Sequence, residues 1–143
     1  MSRKHARVAA LIEEHGGQKL NRHYTGYFNC FNRQLFYEAH EVLEHIWLKD
    51  RHGANGAFYK GLIQLAGAFV HLQKNRPQPA ASLFKLALAN LEKYPLRHEC
   101  LNLDRVRRLI HTWLDELERT GLQVNPLTAT KAPKLELEDR EHE

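Results

Sequence analysis

The sequence predicts an all-α protein: a single-domain antiparallel bundle of four to five helices, followed by an extended or disordered C-terminal tail. Three observations lead there. Apolar residues recur at spacings of three and four along every strongly patterned segment. No segment alternates convincingly at period two, and strand-then-turn signals are missing. Gly, Pro and Asn cut the chain into pieces joined by short connections, for which an antiparallel bundle is the economical packing. The length of 143 residues fits one domain, and 43% hydrophobic residues suffice for one core.

Taken in order, residues 1–18 read as an N-terminal arm or short helix. Gly16-Gly17 ends the helical stretch Met1 to Glu14. The bundle is expected over residues 19–121. Leu20, Tyr24, Tyr27, Phe28 and Phe31 form its first apolar stripe, weakened by Gly26, and Asn32 is a fair N-cap for the next helix. That main helix is expected from about Arg33 to Lys49, and Asp50 to Gly56 reads as a loop. A second long helix covers about Ala57 to Lys74, with Pro77 and Pro79 after it. The next spans Ala80 to Tyr94, ended by Pro95, with Leu83, Phe84, Ala87, Leu88, Leu91 and Tyr94 on one face. The last spans Leu103 to Arg119, with Val106, Leu109, Ile110, Trp113, Leu114 and Leu117 inward and Gly121 at its C-cap. Residues 122–143, with Pro126, Pro133 and an acidic end, read as the tail.

Composition narrows the partners. No apolar run approaches the roughly 18–20 residues of a membrane span, so no membrane partner is expected. The basic N-terminus lacks an apolar h-region and a small-residue cleavage site, so no signal peptide is expected. Cys30 and Cys100 lack CxxC spacing. They give neither a disulfide framework nor a zinc knuckle, read as buried small hydrophobes, and point to a reducing cytoplasm. Net charge is +4, with five acids and two bases in residues 134–143 against 19 bases and 12 acids before them. Solubilising charge explains this better than nucleic-acid binding, and the Arg105, Arg107, Arg108 group reads as a solvated face. A small molecule is the expected partner, and self-association into a homo-oligomer stays open.

One helix is chemically loaded: Tyr37-Glu38-Ala39-His40-Glu41-Val42-Leu43-Glu44-His45-Ile46-Trp47. With His40 at 0° and about 100° per residue, the apolar side chains fall between about 180° and 340°. His40 and Glu44, at i and i+4, share the margin of that core face. Glu38, Glu41 and His45 form a strip further round. The second long helix complements it. Taking Gln64 as origin, its apolar arc covers about 80° to 260°. The rest holds Lys60, Gln64 and His71 among Ala57, Gly61, Gly67 and Ala68, small residues that let another helix approach closely. Gln64 and His71 are then polar groups in or beside the core, and His40 and Glu44 are their expected partners.

Imidazole and carboxylate together suit a divalent cation such as zinc, manganese or iron, which can generate a nucleophile from bound water. The metal reading takes His40, Glu44 and His71 as ligands and Glu41 as catalytic base, with Gln64, Lys60 and Trp47 supporting or touching the ligand. The motif His40-Glu41-Val42-Leu43-Glu44 differs from the zincin pattern at its last residue, so no metalloprotease is expected. Two other readings stand beside it: a buried His/Glu/Gln network that fixes bundle geometry in a non-catalytic interaction module, and a pocket for an organic ligand without a metal. Trp47 and Trp113 read first as core anchors.

Phe31-Asn32, Phe36 to Glu44, Trp47, Lys60-Gly61-Leu62-Ile63-Gln64-Leu65-Ala66 and His71 together resemble a mainly bacterial family catalogued as domain of unknown function 309. The resemblance covers about residues 25–95. It implies a helical bundle and the label attached to that family, predicted metal-dependent hydrolase. By position it marks His40, Glu41, Glu44, Trp47, Gln64 and His71.

Overall fold

The computed structural model describes residues 20–138. The expected helix from Met1 to Glu14 lies outside them. Five helices carry the described fold: α1 (Arg22–Asn32), α2 (Phe36–Asp50), α3 (Gly56–Gln73), α4 (Pro77–Leu91) and α5 (Leu103–Arg119). Each packs on its sequence neighbour, and α3 sits between α2 and α4. Cross-helix contacts give the direction of packing. Lys60 near the start of α3 meets Trp47 near the end of α2, and Gln73 at the end of α3 donates to the Gln34 carbonyl before α2. Gly61 faces Leu91 and Gly67 faces Leu83, so α4 runs antiparallel to α3 as well. The all-α expectation holds.

The core is aromatic. The Phe69 ring centroid lies 5.0 to 5.6 Å from those of Phe31, Phe36, Phe84 and Trp113, so one ring of α3 joins α1, α2, α4 and α5. Aromatic pairs such as these add about 0.5–1.5 kcal/mol each beyond area burial. The Tyr27 hydroxyl is fully buried and donates to the Leu62 carbonyl at 2.6 Å, which satisfies a polar group that α1 brings inside. Trp113 is a core anchor, whereas Trp47 is only half-buried at the core margin. Cys30 and Cys100 are both buried, and neither is in a disulfide.

Several boundaries differ from the sequence reading. Asn32 does not cap α2. It closes α1, and its carboxamide instead pairs with both main-chain groups of Leu135, donating to the carbonyl and accepting from the N–H at 2.7 Å each. Helix α4 starts at Pro77 rather than Ala80, because proline's fixed φ and missing N–H suit a first helical turn. Helix α5 has the expected bounds, with Asn102 accepting from the Arg105 N–H at its start and Gly121 at φ 60° just past its end. A two-residue hairpin is absent from the sequence reading. Arg97–His98 (β1) pairs antiparallel with Leu101–Asn102 (β2) around Glu99 and Cys100, both at positive φ. The Tyr24 hydroxyl donates to the Glu99 carbonyl at 2.7 Å and holds this turn.

Residues 122–138 contain no helix and run along the bundle, with a turn closed by the Thr128 N–H donating to the Lys131 carbonyl at 3.2 Å. Leu135 is buried, Leu137 bridges to Leu101, and Glu138 pairs with Arg97. Arg107 is not part of a solvated face either. It is half-buried and donates to the carbonyls of Leu91, the last residue of α4, and Tyr94, three residues beyond it, both at 3.0 Å. Arg105 and Arg108 are exposed, and Arg108 pairs with Asp104 at 2.8 Å.

Candidate functional site

Helix α3 presents Lys60, Ile63, Gln64, Gly67, Val70 and His71, and its C-cap residue Lys74, along one cleft. Their spacing of three, one, three, three, one and three keeps them on one helix face over about four turns. Helix α2 adds Tyr37 and His40 as one wall, and α4 adds Leu83 to the other. The cavity between them measures about 350 Å³. Gly67 sits in its floor, where the missing side chain keeps it open.

Four residues singled out from the sequence therefore come together: His40, Lys60, Gln64 and His71. Their pairing differs from expectation. His40 and Glu44 do not reach across to Gln64 and His71. His40 Nε2 lies 3.3 Å from Glu44 Oε2 on the same helix, as i and i+4 allow. The Gln64 Oε1 accepts from Asn90 Nδ2 at 2.8 Å, across the α3–α4 contact. Asn90 Oδ1 in turn accepts from the Lys93 ammonium at 3.2 Å. His71 Nδ1 is buried without a hydrogen-bond partner. Burial, then the charges of Arg76 and Lys74, push the His71 imidazole below its ordinary pKa.

The remaining candidates sit around the rim. The Lys60 ammonium lies 4.4 Å from the centroid of the Trp47 ring, so Trp47 holds that cation at one end of the cleft. Glu44 is half-exposed and touches the cleft only through His40. Glu41 is exposed on the next sector of α2 and does not line the cavity. His45 faces α1 instead, stacked on His23 with ring centroids 4.3 Å apart. Among the described residues, no three His, Cys, Asp or Glu side chains converge as a group able to hold a metal ion.

Lys74 and Tyr37 line the cleft and are not among the sequence candidates. Lys74 falls within the same polar arc of α3 as Lys60, Gln64 and His71, one turn beyond His71. Tyr37 stands one turn before His40. Extending each stripe by a turn finds both. Asn90 carries no such signal, because its role depends on where α4 crosses α3.

Fold and cleft together define an all-α bundle domain with a groove along its central helix. Residues 24–83 match the family described as Domain of unknown function (DUF309). The match begins in α1 and ends within α4, and it takes in every candidate residue of the cleft. Two curated relatives are similar to the chain. An uncharacterized protein of Aquifex aeolicus is 31% identical over 97 residues, 68% of this chain and 28% of its own length. The uncharacterized protein YpuF of Bacillus subtilis is 27% identical over 103 residues, 71% of this chain and 59% of its own length. The chain thus spans little more than a quarter of the first and about three-fifths of the second. No solved structure matches.

Proposed function

We propose that this domain is a ligand-binding module whose site is the cleft over α3, and that its ligand is a small organic molecule. One observation carries the reading: His40, Lys60, Gln64 and His71, marked by sequence pattern alone, line a single cavity of about 350 Å³. That volume is within the roughly 300–1,000 Å³ of small-molecule sites. An apolar surface from Ile63, Val70 and Leu83 with a few polar groups converging on it is the usual composition of such sites. Fragment mapping by NMR tests it. A library of anionic, neutral and cationic fragments should shift the amide signals of Gln64, Gly67 and His71 ahead of all others. Shifts scattered over the surface, or none at all, would refute the reading.

A metal-dependent hydrolase is the second reading. The His40–Glu44 pair at 3.3 Å and the unpartnered His71 Nδ1 speak for it. The lack of a converging third donor among the described residues speaks against it, as does the exposed position of Glu41, its base. A cation of the zinc, manganese or iron class would take His40 and Glu44 as ligands and need His71 to approach them. Calorimetric titration of the untagged protein with zinc or manganese discriminates. Stoichiometric binding that His40→Ala abolishes would favour the hydrolase. Heats no larger than dilution would leave the organic-ligand reading alone.

A further inference from the structure

We infer that the cleft selects an oxyanion, a carboxylate or phosphate monoester borne on a small apolar group. The inference rests on the cleft being the binding site. It comes from what the lining groups can still offer once their internal bonds are counted. The Lys93 ammonium can only donate, so it takes the Asn90 oxygen. Asn90 must then turn its NH₂ to Gln64, which engages the Gln64 oxygen at 2.8 Å and fixes the side chain's orientation. Gln64 keeps its own NH₂, a donor, for the cleft. Lys60 at one end and Lys74 at the other are donors only, and both are cations. Among the described residues, no acidic side chain lines the cavity. The carboxylate of Glu44, beside the rim, is engaged by His40 at 3.3 Å.

The lysines and Gln64 therefore offer N–H groups and positive charge, Tyr37, His40 and His71 can donate or accept, and among the described residues no lining group is an anionic acceptor. A neutral alcohol would use one donor, and a cation would meet two ammonium groups. An oxyanion offers acceptors in several directions and forms charge-assisted bonds with lysine. Ile63, Val70 and Leu83 supply the surface for its apolar part.

Four probes of similar shape test this by NMR titration: benzoate, phenyl phosphate, benzyl alcohol and benzylamine. The same titrations are made on Gln64→Glu. That change keeps an oxygen for Asn90 but replaces the free NH₂ with a carboxylate oxygen. Benzoate or phenyl phosphate should shift the Gln64 side-chain amide at least tenfold more tightly than the alcohol or amine. Whichever oxyanion is tighter identifies the source chemistry. Gln64→Glu should weaken the oxyanions at least tenfold while keeping a dispersed spectrum. If it does not fold, the wild-type series decides alone. Benzylamine or benzyl alcohol binding the cleft as tightly as the oxyanions would overturn the inference and leave the binding site standing. No shift at the cleft with any of the four would overturn the site as well.

Discussion

His71 shows how one side chain ties the fold to the cleft. Its Nδ1 is buried without a partner, and its pKa is lowered by burial and then by Arg76 and Lys74. His40 and Tyr37 of α2 line the same cavity, and Lys60 stands at the far end. A histidine whose folded pKa lies below its unfolded value binds fewer protons folded than unfolded. Its stability contribution is full above the unfolded pKa of about 6.5 and falls as pH drops through that value towards the folded pKa. Urea midpoints should therefore decrease from about pH 7.5 to about pH 5.5, and His71→Leu should reduce that slope. An unchanged slope in the variant would place the titration elsewhere. At this scale the sequence was informative because His40, Lys60, Gln64 and His71 are marked by helical angle. Their hydrogen bonds were not legible. Angle shows which side of a helix a group occupies, but not that Asn90 would reach Gln64 before His40 did.

Elements dock here through a few close approaches. A Cβ on Gly61 would lie 2.9 Å from Leu91 Cδ2 and 3.2 Å from Asn90 Cβ, so the α3–α4 contact needs glycine there. Gly61→Ala should destabilise by about 1–3 kcal/mol in urea unfolding, despite alanine's better helix propensity. Arg107 ties α5 to the Leu91 carbonyl at the end of α4 and to the Tyr94 carbonyl just after it. Arg107→Ala should cost about 1.5–3 kcal/mol, the usual loss for hydrogen bonds to a charged group, and Arg107→Lys less. Asn32→Ala should expose the Leu135 amide to rapid hydrogen exchange while α1 stays protected, because the carboxamide pairs with that residue on both sides. Equal protection in variant and wild type would show that apolar burial alone holds the arm. The helices were legible because their apolar period is clear. The hairpin was not, because each strand has two residues and its turn is Glu99-Cys100, without the Asn-Gly or Asp-Gly signal for positive φ. The arm reads from sequence as extended or disordered, and its docking was not legible. Asn32 reads locally as a cap, and its partner lies 103 residues away.

At the scale of the molecule, the bundle is a frame that holds one helix face open. The aromatic contacts of Phe69 fix α3 among four other helices, and the opposite arc of α3 is left to the cleft. Gly67 makes the central claim directly testable. A Cβ there would meet only Leu83 Cδ1, at 3.2 Å, the end of a flexible side chain. Gly67→Leu should therefore fold with stability equal to or above wild type, since glycine costs about 0.8–1.0 kcal/mol in a helix interior. Its side chain would fill the floor of the cavity. The decisive measurement is fragment affinity in this plugged variant against wild type, with thermal unfolding recorded on the same samples. A loss of at least tenfold in affinity with unfolding temperature unchanged or raised is the predicted result. Undiminished binding in the folded variant would contradict the claim that the cleft over α3 is the site.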